Sequence, residues 1–190
     1  MMRIFLFLVF GTSILWHNLS VAEAWRQDTQ LLPPYCKDRV KGLNSPEFTK
    51  WRGTFGGVSE HIHHYCSGIY AENKARGTID QQERKRALRG VIAEMAYVSR
   101  HCSAKCVLYP ELHSRWGWAL AADGQPSEAV GHFQLAIRAK PKYTPAYAKL
   151  SDLYLEINQP DEARRVLDEG LKAKPGSSML QRRLQKLEAP

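Results

Sequence analysis

Beyond its first two dozen residues, the sequence has no apolar run approaching the roughly 20 residues needed to cross a bilayer. It has no GxSxG, no HExxH, no phosphate-binding loop and no glycine-rich dinucleotide fingerprint. Those absences remove the usual routes to hydrolase, metalloprotease and nucleotide chemistry. The carboxylate pairs Asp161-Glu162 and Asp168-Glu169 fall on predicted helix faces, where solvation is the default, so no enzyme and no cofactor are expected. Cysteine is sparse, at four, and Cys102 and Cys106 are separated by three residues. That spacing is neither the CxxCH of covalent haem nor the CxxC of thioredoxin-like redox sites. Acidic residues are also in deficit, 19 against 27 Lys and Arg, for a net charge of +8. The cations gather at Arg84-Lys85-Arg86 with Arg89, at Arg138 to Lys142, and at Arg182-Arg183. Such clusters favour acidic partners or peripheral contact with an anionic surface, although each alone reads as the solvated face of a helix. Nucleic acid is not expected as a partner.

What the sequence does have is a repeat. Pro141 and Pro175 lie 34 residues apart, and the segments 110–143 and 144–177 are in phase. The first carries Trp116-Gly117, Leu120, Ala129, Phe133, Ala136 and Pro141; the second carries Tyr147, Leu150-Ser151, Tyr154, Ala163, Leu167, Gly170 and Pro175. Trp116, Leu120, Val130, Phe133 and Ile137 recur at three- and four-residue steps, which gives each helix an apolar stripe. Small residues at Ala129, Ala136 and Gly170 allow facing helices to approach closely. Asp123-Gly124-Gln125-Pro126 and Ile157-Asn158-Gln159-Pro160 supply the hairpin turns. Thr144-Pro145 reads as a cap with proline in the first turn, and Pro141 and Pro175 stop the second helices.

The pattern resembles the tetratricopeptide repeat, a helix–turn–helix unit of this period. His113 in place of Trp, Trp116 in place of Leu and Ser151 in place of Gly are departures that leave the alternation of small and large residues intact. The resemblance implies an all-α fold: a short α-solenoid of helix hairpins that binds a protein or peptide in a concave groove. It assigns the groove to Glu111, Ser114, Trp118 and Ala121 of the first unit, and to Pro145, Ala148, Asp152 and Leu155 of the second. Ser114, Trp118 and Lys149 stand where some relatives keep a clamp for C-terminal carboxylates, so Trp118 is expected to anchor a mixed groove made acidic by Glu111 and Asp152. Residues 178–190, with Met179, Leu180, Leu184 and Leu187 backed by Arg182, Arg183 and Lys186, read as a capping helix.

Residues 1–24 read as a signal peptide: Arg3, an apolar core from Ile4 to Trp16, and Ala22-Glu23-Ala24 before Trp25. The expected location is outside the cytoplasm, periplasmic if the source is a Gram-negative bacterium. All four cysteines follow the leader, an even number suited to an oxidising compartment. Three pairings are open; Cys36–Cys66 with Cys102–Cys106 is favoured, the longer loop contributing roughly 3 kcal/mol by chain entropy. Residues 25–44 are expected to form an irregular strap because Leu31-Leu32-Pro33-Pro34 is rich in proline. The extension 45–109 is expected to hold three helices that lengthen the solenoid: from Ser45-Pro46 to Phe55, from Val58 to about Asn73, and one opened by a Thr78/Gln81 capping box. The short words Pro-Pro-Tyr-Cys and His-His-Tyr-Cys are similar to those of small exported bacterial tetratricopeptide proteins.

The run His61-Ile62-His63-His64-Tyr65-Cys66 offers imidazole and thiolate ligands. On a helix, His61 and His64 share one flank and His63 points to the other, so the run cannot close on one ion. Metal- or haem-handling through the His61 to Cys66 run, with His61 and His64 as the candidate ligands, is the alternative to an adaptor, and thiol–disulfide exchange at Cys102 and Cys106 is a second alternative. The reading of the leader is checked by intact mass: the exported protein is expected to begin at Trp25 and to take up no alkylating agent until it is reduced.

Overall fold

The computed structural model describes residues 29–189; the expected leader and its cleavage point lie outside them. The described chain is helical. α1 (Pro34–Val40) and α2 (Pro46–Phe55) precede a 3-10 turn over Gly56–His61. The antiparallel pair α3 (Ile62–Gly77) and α4 (Gln81–Ser99) follows, then α5 (Tyr109–Ala122) with α6 (Pro126–Ala139), and α7 (Thr144–Glu156) with α8 (Pro160–Ala173). α9 (Ser178–Glu188) closes the array against α7 and α8.

The two repeat hairpins turn in the same way. Gly124 (φ +82°) and Asn158 (φ +57°), 34 positions apart, both take the left-handed conformation. In each, the next residue donates back across six residues, Gln125 N–H to the Leu120 carbonyl at 2.9 Å and Gln159 N–H to the Tyr154 carbonyl at 2.7 Å. This is the Schellman closure, in which a residue at positive φ lets the chain satisfy the last carbonyls of the helix. Asn is among the few non-glycine residues that adopt that conformation readily.

Two cores meet at α5. One gathers Phe48, Ile62, Tyr65, Ile69, Val91, Met95 and Leu112; the other gathers Leu120, Phe133, Tyr147, Leu153, Leu167 and Leu180. Trp116, Trp118 and Ile92 pack against both, so the extension and the repeats are one continuous stack. α9 buries Leu180 and lays Met179, Leu184 and Leu187 alongside, as the spacing of its leucines requires.

The disulfides join Cys36 to Cys66 and Cys102 to Cys106, with Cα atoms 5.6 and 5.3 Å apart. The first fixes α1 to α3. Tyr35 adds edge-on contacts to Trp51 and Phe55 at 5.9 and 5.0 Å, and the Trp51 indole N–H donates to Asp38 at 2.8 Å.

The structure departs from the sequence reading in four places. The strap is not wholly irregular, because Pro33 and Pro34 start a helix rather than prevent one. Pro33 sits extended at the N-cap and Pro34 occupies the first turn, where a missing N–H has no consequence. Gly56 (φ +55°) redirects the chain into the 3-10 turn, so the next α-helix starts at Ile62 rather than Val58 and runs on to Gly77. The cap of α4 is Asp80, not Thr78: Glu83 N–H donates to Asp80 Oδ1 at 2.8 Å, while the Thr78 hydroxyl donates to the Glu83 carboxylate at 2.6 Å. Thr144 is already helical, with Tyr143 at the cap and no side-chain cap bond.

Close packing of the repeats makes glycine obligatory where two helices touch. A Cβ on Gly170 would lie 2.7 Å from Leu180 Cδ1 and 2.8 Å from Tyr147 Cγ, whereas one on Gly131 meets nothing within 4 Å. Gly170→Ala is expected to lower stability by about 1–3 kcal/mol through overpacking. Gly131→Ala, in the interior of α6, is expected to raise it by about 0.5–1 kcal/mol. Urea midpoints of the two variants measure both.

Candidate functional site: the concave groove

The first helix of each pair and the cap line one face, and a buried charge cluster ties two of these helices, α3 and α5, together. Glu72 of α3 has a side chain only 6% exposed, and two arginines share it. Arg115 of α5 donates to Glu72 at 2.6 Å and grips Glu111 at 2.7 and 2.9 Å. Arg76, one turn on from Glu72, donates to the same carboxylate at 2.8 and 3.0 Å. The Arg76 guanidinium then lies 3.7 Å from the centre of the Trp118 ring, within cation–π range. Burial pushes the Glu72 carboxyl up, but Arg115 and Lys149, together with hydrogen bonds from both arginines, outweigh this and hold it below its ordinary value.

Beside this cluster is a cavity of about 350 Å³ lined by Trp118, Ala121, Phe133 and Leu153, with polar groups from Arg76, Arg84, Lys149, Asp152, Glu156 and Arg183. Lys149 makes no hydrogen bond or salt bridge among the described residues. Burial lowers its pKa to about 8 against the opposing pull of Glu72. Asp152 is clasped by Arg183 of α9 through two bonds of 2.9 Å.

The expected groove residues separate into three groups. Trp118, Ala121 and Asp152 line the cavity, and Leu155 stands 44% exposed on the same helix as Asp152. Ser114 and Ala148 are buried between helices, and Glu111 is committed to Arg115. Pro145 lies at the start of α7 beside a second cleft, lined also by Lys140, Lys142 and Lys174. The expected acidic character is therefore corrected: both carboxylates assigned to the groove are neutralised by arginines, and cations dominate the cavity. Arg76 and Arg84 come from the extension and Arg183 from the cap, and the repeat positions gave no signal for them. The basic clusters at Arg84 and Arg182-Arg183 were the legible trace.

The histidine run resolves differently. His61 and His64 share a flank with Tyr97 and His101 of the α4 end. The His61 and His101 rings stack at 3.6 Å, Tyr97 Oη lies 3.3 Å from His61 Nδ1, and His64 Nδ1 lies 2.7 Å from Glu94. His63 turns aside and donates to the Glu60 carbonyl. Among the described residues, no group of three or more His, Cys, Asp or Glu is arranged to hold a metal ion. Cys66 is buried in its disulfide, as is Cys102, and none of the four cysteines is free.

The tetratricopeptide repeat family model matches residues 120–187, the stretch that carries the two Schellman-closed hairpins. The chain carries tetratricopeptide repeats over this stretch. A thermophilic tetratricopeptide repeat protein from Thermus thermophilus has a similar structure, with a TM-score of 0.59 and 17% identity over 88% of this chain and 86% of that one. No curated protein matches. Tetratricopeptide repeats are in general scaffolds for protein–protein interaction, and no described helix of this one is long and apolar enough to cross a membrane.

Removing one partner from a buried ion cluster leaves the others uncompensated, at a cost of about 3–5 kcal/mol. Glu72→Gln is expected to destabilise the protein by that order at pH 7. Because the Glu72 pKa is depressed in the fold, its contribution is present above the ordinary value of 4.5 and lost as pH falls through the lower folded value. Urea unfolding of both proteins at pH 7 and pH 3 is expected to show the gap narrowing in acid.

Proposed function

We propose that this tetratricopeptide repeat protein is a non-enzymatic adaptor, exported to an oxidising compartment, that holds a segment of a protein partner in its concave groove. The observation that carries this reading is the cavity beside Trp118. It joins a pinned aromatic ring to cationic groups from four helices, and Leu155 stands exposed three residues on from Asp152 of the same lining. Interface anchors are typically aromatic or arginine side chains seated in such concave sites, and a partner helix or extended peptide is what a helical groove of this kind accepts. Export is supported by the apolar run Ile4 to Trp16 and by the paired cysteines. An envelope assembly is the setting this suggests, with the adaptor recruiting or steadying one component.

Site-resolved photo-crosslinking tests the groove. A benzoylphenylalanine at Leu155 is expected to capture one defined segment of one partner, identified by mass spectrometry. The same group at Lys172, on the exposed side of α8, is expected to capture none of it. Equal capture from both positions would remove the groove from the account.

A further inference from the structure

The groove carries two cations that the fold itself leaves unanswered. Lys149 reaches into the cavity without a partner among the described residues, since the carboxylate nearest in charge, Glu72, is already divided between Arg115 and Arg76. Arg84 is the second: its Nε is buried and has no hydrogen-bond partner. Keeping an ammonium half-buried without a hydrogen-bond partner costs stability. The anions of the cavity do not answer them, because Asp152 is held by Arg183 and Glu156 stands at the exposed rim. Arg84 also lines the adjoining cleft of about 320 Å³ with Lys85, so the cationic surface continues past the cavity mouth.

We propose that the groove is selective for an acidic segment of its partner, with adjacent Asp or Glu side chains seated against Lys149 and Arg84 while the apolar side of the segment lies on Trp118. This inference rests on the groove reading above and gives it a ligand chemistry. A carboxylate is the complement of both groups: it accepts from the ammonium at Lys149 and from the guanidinium N–H of Arg84 in charge-assisted bonds. The concave position favours a narrow chain that can enter between α5 and α7 over a flat anionic lipid surface. Two of the cavity's cations, Arg76 and Arg84, precede the repeats, and Arg183 follows them. The specificity is therefore shared between Lys149 of the second repeat and cations supplied by this chain's extension and cap.

The test is fluorescence anisotropy on the mature protein with a labelled ten-residue peptide of alternating Glu, Asp and Leu, amidated at its C-terminus. Its Gln/Asn counterpart is the neutral control. The acidic peptide is expected to bind at least ten-fold more tightly than the neutral one. Lys149→Met is expected to weaken it about ten-fold and Arg84→Gln several-fold, while Lys172→Met, which removes the same charge from α8, changes it less than two-fold. Thermal unfolding establishes that each variant is folded, and Arg84→Gln carries the test alone if Lys149→Met is not. Equal affinity for the two peptides would overturn the proposal, as would equal losses in Lys149→Met and Lys172→Met, which indicate diffuse charge attraction. Phosphatidylglycerol vesicles binding with Lys149-dependence while the peptide does not would overturn it in favour of a lipid surface. Crosslinks from Leu155 to a segment lacking carboxylates would overturn this inference and leave the groove reading standing. Absence of any Leu155 crosslink defeats the groove reading itself.

Discussion

The arrangement of the groove depends on a single buried carboxylate. Glu72 lies on α3, ahead of the repeats, yet its two oxygens are divided between Arg76 on its own helix and Arg115 on α5. A buried charge is tolerated only when it is paired and hydrogen-bonded, and here the pairing fixes the separation of two helices. Arg76 is fixed in turn, and its guanidinium covers Trp118. Because both arginines draw on one anion, the cluster saturates before it reaches Lys149. The groove's charge is thus a consequence of how the extension is attached.

The second consequence of that attachment is mechanical. α5 contributes Leu112 and Ala119 to one core and Leu120 to the other, and the two tryptophans between them touch both. Two repeats alone bury too little to stand by themselves. The extension provides the missing neighbour on one side and α9 provides it on the other. The Cys36–Cys66 bridge ties α1, a seven-residue helix, to α3 of this extension.

The parts of the fold that were legible in the sequence are those set by local rules. Apolar spacing, turn residues and stop prolines placed α5 to α9 nearly to the residue, because each signal acts within a turn or two of where it sits. Cys36–Cys66 and Cys102–Cys106 were also favoured from order alone. The misreadings have equally specific causes. Pro33-Pro34 was weighed as a breaker when its position at the start of a helix made it a promoter. Asp80 outcompeted Thr78 for the cap because its carboxylate reaches the Glu83 amide directly. The groove's electrostatics were inverted for two reasons: Glu111 is taken up by Arg115 four positions on, a local pair that the groove assignment passed over, and Asp152 is neutralised by Arg183, 31 positions away. No local pattern carries the second pairing. The histidine run shows the same limit, since Tyr97, Glu94 and His101, which engage it, lie 30 or more positions away from their partners.

Closure at both ends also gives the groove a fixed length. Repeat arrays can lengthen by accepting another unit at an open end, but here one end is covered by the extension and the other by α9, whose Arg183 is tied back to Asp152. Among the described residues, the helices of the inner face are α3, α5, α7 and α9, with Arg84 of α4 and Phe133 of α6 also reaching its cavity. At about 8–10 Å between neighbouring helix axes, these four span roughly 24–30 Å. An extended chain advances about 3.3 Å per residue, which makes the molecule a ruler of some seven to nine residues for any strand laid across it.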